Sequence, residues 1–147
     1  MRTLILASWS RPLILMAAVA LAGCDDDVAE PTIEEVAGEY LGVQFTARSE
    51  SGTVDLIENG AEVVIVLHAD GTTTGHLFIP DGEPGGEDME RDLAGHWAIE
   101  GTRIDLDHDS FLAAMHFRWR GDGLIEGELE GGLTYELRLA RLETGSP

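Results

Sequence analysis

The chain has 147 residues, with nine arginines, no lysine and 28 acidic residues, a formal net charge of −19. That balance argues against nucleic acid as a partner, because duplex affinity rests on neutralising phosphates, and against lying flat on an anionic lipid surface. Mutual repulsion that keeps the chain soluble is sufficient to account for it. At 44% hydrophobic residues the sequence is too apolar for disorder, and its one cysteine has no partner for an internal disulfide.

Residues 1–23 have the three regions of an export signal. Arg2 and Arg11 supply positive charge, and no acid occurs before Asp25. Pro12 to Ala22 is an apolar run, shorter than the ~18–20 residues that span a bilayer. Leu21-Ala22-Gly23-Cys24 closes the run and resembles the lipobox of bacterial lipoproteins. The resemblance implies cleavage before Cys24 and lipidation of its thiol, and hence a membrane partner reached through that lipid. The expected location is the cell envelope, on the periplasmic side of the inner or outer membrane or at the cell surface. Removing residues 1–23 removes two arginines and no acids, so the formal charge moves from −19 to −21. Residues 24–35, beginning Cys24-Asp25-Asp26-Asp27, read as the lipidated cysteine and an acidic tether.

The rest reads as one domain over 36–142, with a disordered tail over 143–147. A short helical turn is expected near Thr32–Val36, with Thr32 as N-cap and Glu35 three residues on. Beyond it the pattern is strand throughout. The first strand contains a conflict: Tyr40 lies on one parity, whereas Leu41, Val43 and Phe45 lie on the other. A bulge or burial on both faces would resolve it. Val63-Val64-Ile65-Val66-Leu67 is apolar on both parities and suggests a strand covered on both sides. Arg103–Asp107, Met115–Arg120 and Thr134–Leu139 alternate apolar and charged residues. Asn59-Gly60, Asp70-Gly71, Asp122-Gly123 and Gly131-Gly132 mark the turns between strands. Pro80–Asp88 reads as a mobile acidic linker.

A pattern recurs across that linker. Gly38-x-Tyr40 is matched by Gly95-x-Trp97, and the Asp70-Gly71 hairpin by the Asp122-Gly123 hairpin, so halves over 36–79 and 93–142 suggest a two-fold internal repeat. Eight or nine short sequential antiparallel strands favour an all-β, up-and-down meander that closes on itself and so removes its edges. A two-sheet β-sandwich is the alternative. With its Gly-x-aromatic start, the segment 36–142 resembles the lipocalin-like, or calycin, barrels. The resemblance implies that Gly38 and Tyr40, or Gly95 and Trp97, plug one barrel end. It also implies that a basic residue late in the last strand packs across the aromatic. Arg141 is the candidate, on the parity of Tyr135, Leu137 and Leu139.

Few residues suggest other chemistry. Asp105, Asp107 and Asp109 resemble the start of a calcium loop, but no glycine or glutamate completes it. His68 and His76 flank a hairpin and could face each other across it, yet two ligands do not make a metal site. There is no nucleophile elbow and no glycine-rich phosphate loop, so neither an enzyme nor a cofactor is expected. Phe78, Trp97, Met115, Phe117, Trp119 and Tyr135 are expected to point inward, where they would line a cavity for a small apolar ligand or fill it. The functional expectation is therefore a lipid-anchored monomer holding a small hydrophobic molecule. The alternative is a non-catalytic interaction lipoprotein with a packed barrel that contacts another envelope protein.

Overall fold

A computed structural model describes residues 29–143. Residues 1–28, which include the expected signal segment and Cys24, and residues 144–147 lie outside the described residues. The described residues open with helix α1 (Ile33–Val36), fixed by a reciprocal cap: Thr32 Oγ1 accepts from the Glu35 amide at 3.2 Å, and the Glu35 carboxylate accepts from the Thr32 amide at 2.7 Å. Ten strands follow: β1 (Gly38–Ser49), β2 (Gly52–Asp55), β3 (Glu62–Leu67), β4 (Thr72–Ile79), β5 (Met89–Asp92), β6 (Gly95–Glu100), β7 (Arg103–Asp107), β8 (His116–Gly121), β9 (Leu124–Leu129) and β10 (Thr134–Arg141).

Eight of these, β1, β3, β4 and β6–β10, form a closed antiparallel barrel, and β1 pairs with β10 to complete it. That pairing excludes the two-sheet sandwich. The other two are extensions. One side of β1 pairs with β3 at its start and with β2 near its end. Likewise β4 pairs with β6 at its start and with β5 at its end. The interruption between β5 and β6 is buried at Leu93, whose carbonyl accepts from Thr73 Oγ1 at 2.7 Å and whose amide donates to Gly75 O at 3.0 Å.

The conflict in the first strand resolves as a bulge. The register of β1 on β10 slips between Gly42 and Gln44, leaving Val43 53% exposed while Tyr40 and Phe45 are both fully buried. In β3 only Val63, Ile65 and Leu67 are buried. Val64 and Val66 are half-covered, so the strand is not enclosed on both faces. The two Asp-Gly hairpins occupy inequivalent places: the first joins the second and third barrel strands, the second joins β8 to β9. Asp122 and Gly123 both have positive φ, 49° and 73°, whereas only Gly71 does in the first hairpin. The likeness between the halves is thus one of turn chemistry, not of strand order. Pro80–Asp88 is tied down by its own bonds, Asp81 N to Asp88 Oδ1 at 3.1 Å and Glu83 N to Glu87 O at 2.9 Å.

One element was not anticipated, a 3-10 turn at Phe111–Ala114 capped by Ser110 Oγ. It lies between β7 and β8 and buries Leu112. Phe111 meets Phe45 and Tyr135 with ring centroids 6.3 and 5.3 Å away. Nineteen buried apolar residues form one continuous core inside the barrel. At its middle, Phe117 fills the space that Gly127 leaves empty: a Cβ on Gly127 would stand 2.3 Å from a Phe117 ring carbon. Gly127→Ala should therefore cost ~1–3 kcal/mol through overpacking. Adding Phe117→Leu should return part of that loss, so that urea unfolding shows the pair to be non-additive. Strictly additive losses would mean that the contact does not limit the packing.

Candidate functional site

The barrel end where β1 begins is built around Arg141. Gly38 opens β1, and a Cβ there would lie 2.8 Å from Arg141 Nε, so the missing side chain makes room for the guanidinium. Arg141 Nη2 donates to Ala37 O at 2.8 Å, to Tyr40 Oη at 3.2 Å and to Glu35 O. Tyr40 Oη in turn donates to Val36 O at 2.5 Å. The guanidinium carbon lies 5.5 Å from the Tyr40 ring centroid and 5.9 Å from that of Trp119. The last strand thereby holds α1 and the start of β1 across the barrel end. Burial pushes the Tyr40 phenol above its ordinary value, and the Arg141 charge pulls against that rise.

Gly95 and Trp97 do other work. A Cβ on Gly95 would stand 2.0 Å from Asp107 O, so this glycine allows β6 and β7 to approach closely. Trp97 Nε1 donates to His68 O at 2.7 Å, and its amide donates to Gly71 O at 2.8 Å. These bonds fasten the β3–β4 hairpin to β6, where the strands share only two paired positions, Thr72 with His96 and Thr73 with Gly95.

Of the expected interior residues, Trp97, Met115, Phe117 and Trp119 are buried, and Tyr135 packs half-buried on the core. Phe78 is a correction. It sits on the parity opposite to buried Leu77 and Ile79, facing outward between Glu62 and Glu90 on the neighbouring strands. Runs of apolar residues on both parities made its side ambiguous. Asp105, Asp107 and Asp109 are exposed, and Asp105 pairs with Arg103 at 3.2 Å. Among the described residues, no three metal-binding side chains come together. His68 does not face His76: its Nε2 meets Thr74 Oγ1 at 3.0 Å, while His76 stands beside Val64 and Asp92.

Two hollows lie on the outside of the barrel. One, of about 590 Å3, lies between residues 29–31 and the Trp119–Arg141 end. The other, of about 430 Å3, runs along the outer wall of β8, β9 and β10 beside Gln44. In this second hollow Glu126 accepts from Arg120 Nε at 2.8 Å and from Arg138 Nη2 at 2.8 Å. Partial burial pushes the Glu126 carboxyl up, but the guanidiniums of Arg138 and Arg120 outweigh it and hold the group below its ordinary value. Sequence reasoning passed over this wall because each charge sits where any wet strand face would carry one.

His108 was also missed as a special group. Its Nδ1 accepts from the Ser110 amide at 3.2 Å, and its Nε2 is buried with no partner. Burial holds its pKa below the ordinary histidine value, with Asp107 and Asp109 opposing.

No protein-family model, curated protein or solved structure matches this chain.

Two outcomes follow from this geometry. Arg141→Met keeps an unbranched apolar stem but removes the donors to three oxygens, so urea unfolding should show a loss of ~1–3 kcal/mol. Limited proteolysis should then cut faster within residues 29–37; unchanged cleavage would mean that Arg141 does not hold this segment. For His108, the unfolded chain takes up a proton below pH ~6.5 while the folded chain resists it. Stability should therefore be full above that pH and fall as the pH drops towards the lower folded-state value. His108→Gln should flatten that part of the profile relative to the parent chain, and two parallel profiles would show that His108 does not contribute.

Proposed function

We propose that this chain is a lipid-anchored cell-envelope protein whose packed barrel acts as a non-catalytic interaction module. The observation that carries the reading is the filled interior: one continuous core of nineteen buried residues runs through the barrel, and Phe117 closes the gap at Gly127. A side-chain-filled barrel of this size offers its outer surface, rather than its lumen, to other molecules. The same observation weighs against the reading in which a small apolar ligand sits inside. The anchoring half of the proposal rests on Leu21-Ala22-Gly23-Cys24 and the apolar run before it. Acylation would place the lipid eight residues before the Thr32 cap, so at most ~30 Å of extended chain would separate bilayer and barrel.

Mass spectrometry of the natively extracted protein tests both halves. The expected N-terminal peptide begins at Cys24 and carries an acyl mass that Cys24→Ser abolishes. A free thiol on a peptide beginning elsewhere would overturn the anchor. The folded barrel should be released without a retained molecule, and a co-purifying apolar ligand would overturn the packed-module reading.

A further inference from the structure

Five of the seven arginines among the described residues lie on one stretch of the barrel wall. Arg103, Arg118, Arg120, Arg138 and Arg48 all lie on the outer face from β7 round to β1. Register places the charges in cross-strand rows. Arg118, Glu126, Arg138 and Gln44 stand abreast on β8, β9, β10 and β1. Two residues along each strand, His116, Glu128, Glu136 and Thr46 form the next row. Arg120 extends the cationic side, and Glu130 borders the acidic side.

The first row is preorganised. Glu126 is engaged by Arg120 and Arg138, which fixes both guanidiniums. Arg118 stands directly opposite Glu126, yet forms no hydrogen bond or ion pair among the described residues. Its planar donor fork therefore faces the hollow unused. Three arginines against four glutamates line the hollow, so neither a simple anion nor a simple cation is matched by the whole of it. The charges are instead separated along the strands, by about 7 Å for two residues. The volume of about 430 Å3 suits a small ligand.

We propose that the outer wall of β8–β10 beside Gln44 is a binding site for a small zwitterion, such as a short peptide. Its oxyanion meets Arg118 and the Arg120–Arg138 pair, and its ammonium group meets Glu128, beside Glu136, whose carboxylate is paired with Arg48 at 3.4 Å. An extended dipeptide has termini about 7 Å apart, the spacing of the two rows. The site stands whether or not Cys24 is acylated, so the mass measurement above and the titration below fail independently.

The test is a titration of the isotope-labelled full chain in non-ionic micelles, followed through the arginine Nε–H and backbone amide signals of β8 and β9. The probe is glycylglycine, compared with N-acetylglycine, which has only the anion, and glycinamide, which has only the cation. The dipeptide should saturate the Arg118 and Arg138 signals at a concentration at least tenfold lower than either half. Arg118→Gln and Glu128→Gln, both exposed, should each raise that concentration about tenfold while leaving the remaining amide spectrum in place. Equal response to the dipeptide and to one half, or no saturable shift, would overturn the proposal. Vesicles of phosphatidylethanolamine present the same pair of charges from a lipid headgroup; a response to them but not to the dipeptide would overturn the assignment to a free zwitterion.

Discussion

Closure of β1 on β10 is the constraint on which the rest of the structure depends. Without it the sheet would leave both strands as open edges, and a meander of this length would expose long unpaired rows of amides and carbonyls. Closure alone would put Tyr40 and Phe45 on opposite sides of the wall, because they lie an odd number of positions apart along β1. The extra residue at Val43 removes that conflict, turning both aromatics inward and pushing the valine into solvent. The bulge therefore lets one strand close the barrel and also supply aromatics to both ends of its core.

The two barrel ends are then sealed by different means. Where β1 begins, a single guanidinium gathers Glu35, Ala37 and Tyr40 and lies over two rings. At the other end a 3-10 turn inserts Leu112 and brings Phe111 against Phe45 and Tyr135. The second seal compensates for thin strand pairing nearby. β7 and β8 share only two paired positions, and the 3-10 turn occupies the space their divergence opens. A core filled between two such seals has little freedom to open, since interiors at native density do not part gradually. The proposed function accordingly uses the wall and the rims.

Much of this architecture was legible in the sequence because strand alternation and turn dipeptides report directly on burial. β7, β8 and β10 alternate cleanly, and the parity of Arg141 with Tyr135, Leu137 and Leu139 placed it on the inner face. The reading failed where parity was ambiguous or where tertiary context decided. Phe78 follows Leu77 and precedes Ile79, so three adjacent apolar residues give no phase, and only the pairing with β3 and β5 sets its side. The 3-10 turn is too short to show a helical period. His108 is unusual only because the chain folds over it, which no local pattern reveals. The outer wall was invisible for another reason. Its rows form from four strands separated by up to 94 residues, Gln44 to Arg138, and appear only once register is fixed.

The complete absence of lysine acquires meaning on that wall. A lysine at 120 or 138 would bring a point charge on a flexible stem, and two such ammonium groups around Glu126 would remain mobile and strongly hydrated. Arginine instead gives each neighbour a planar donor set. One carboxylate can then take Nε of Arg120 on one oxygen and both Nε and Nη2 of Arg138 on the other. Each exposed pair alone adds little to stability, ~0–1 kcal/mol. What the shared glutamate contributes is order, because it holds two guanidiniums in place beside a third that has no partner among the described residues. On a molecule whose charge is otherwise overwhelmingly negative, stability gives no reason to set two arginines on one glutamate and leave Arg118 beside them unpaired among the described residues. The proposed recognition of a ligand that carries both signs does.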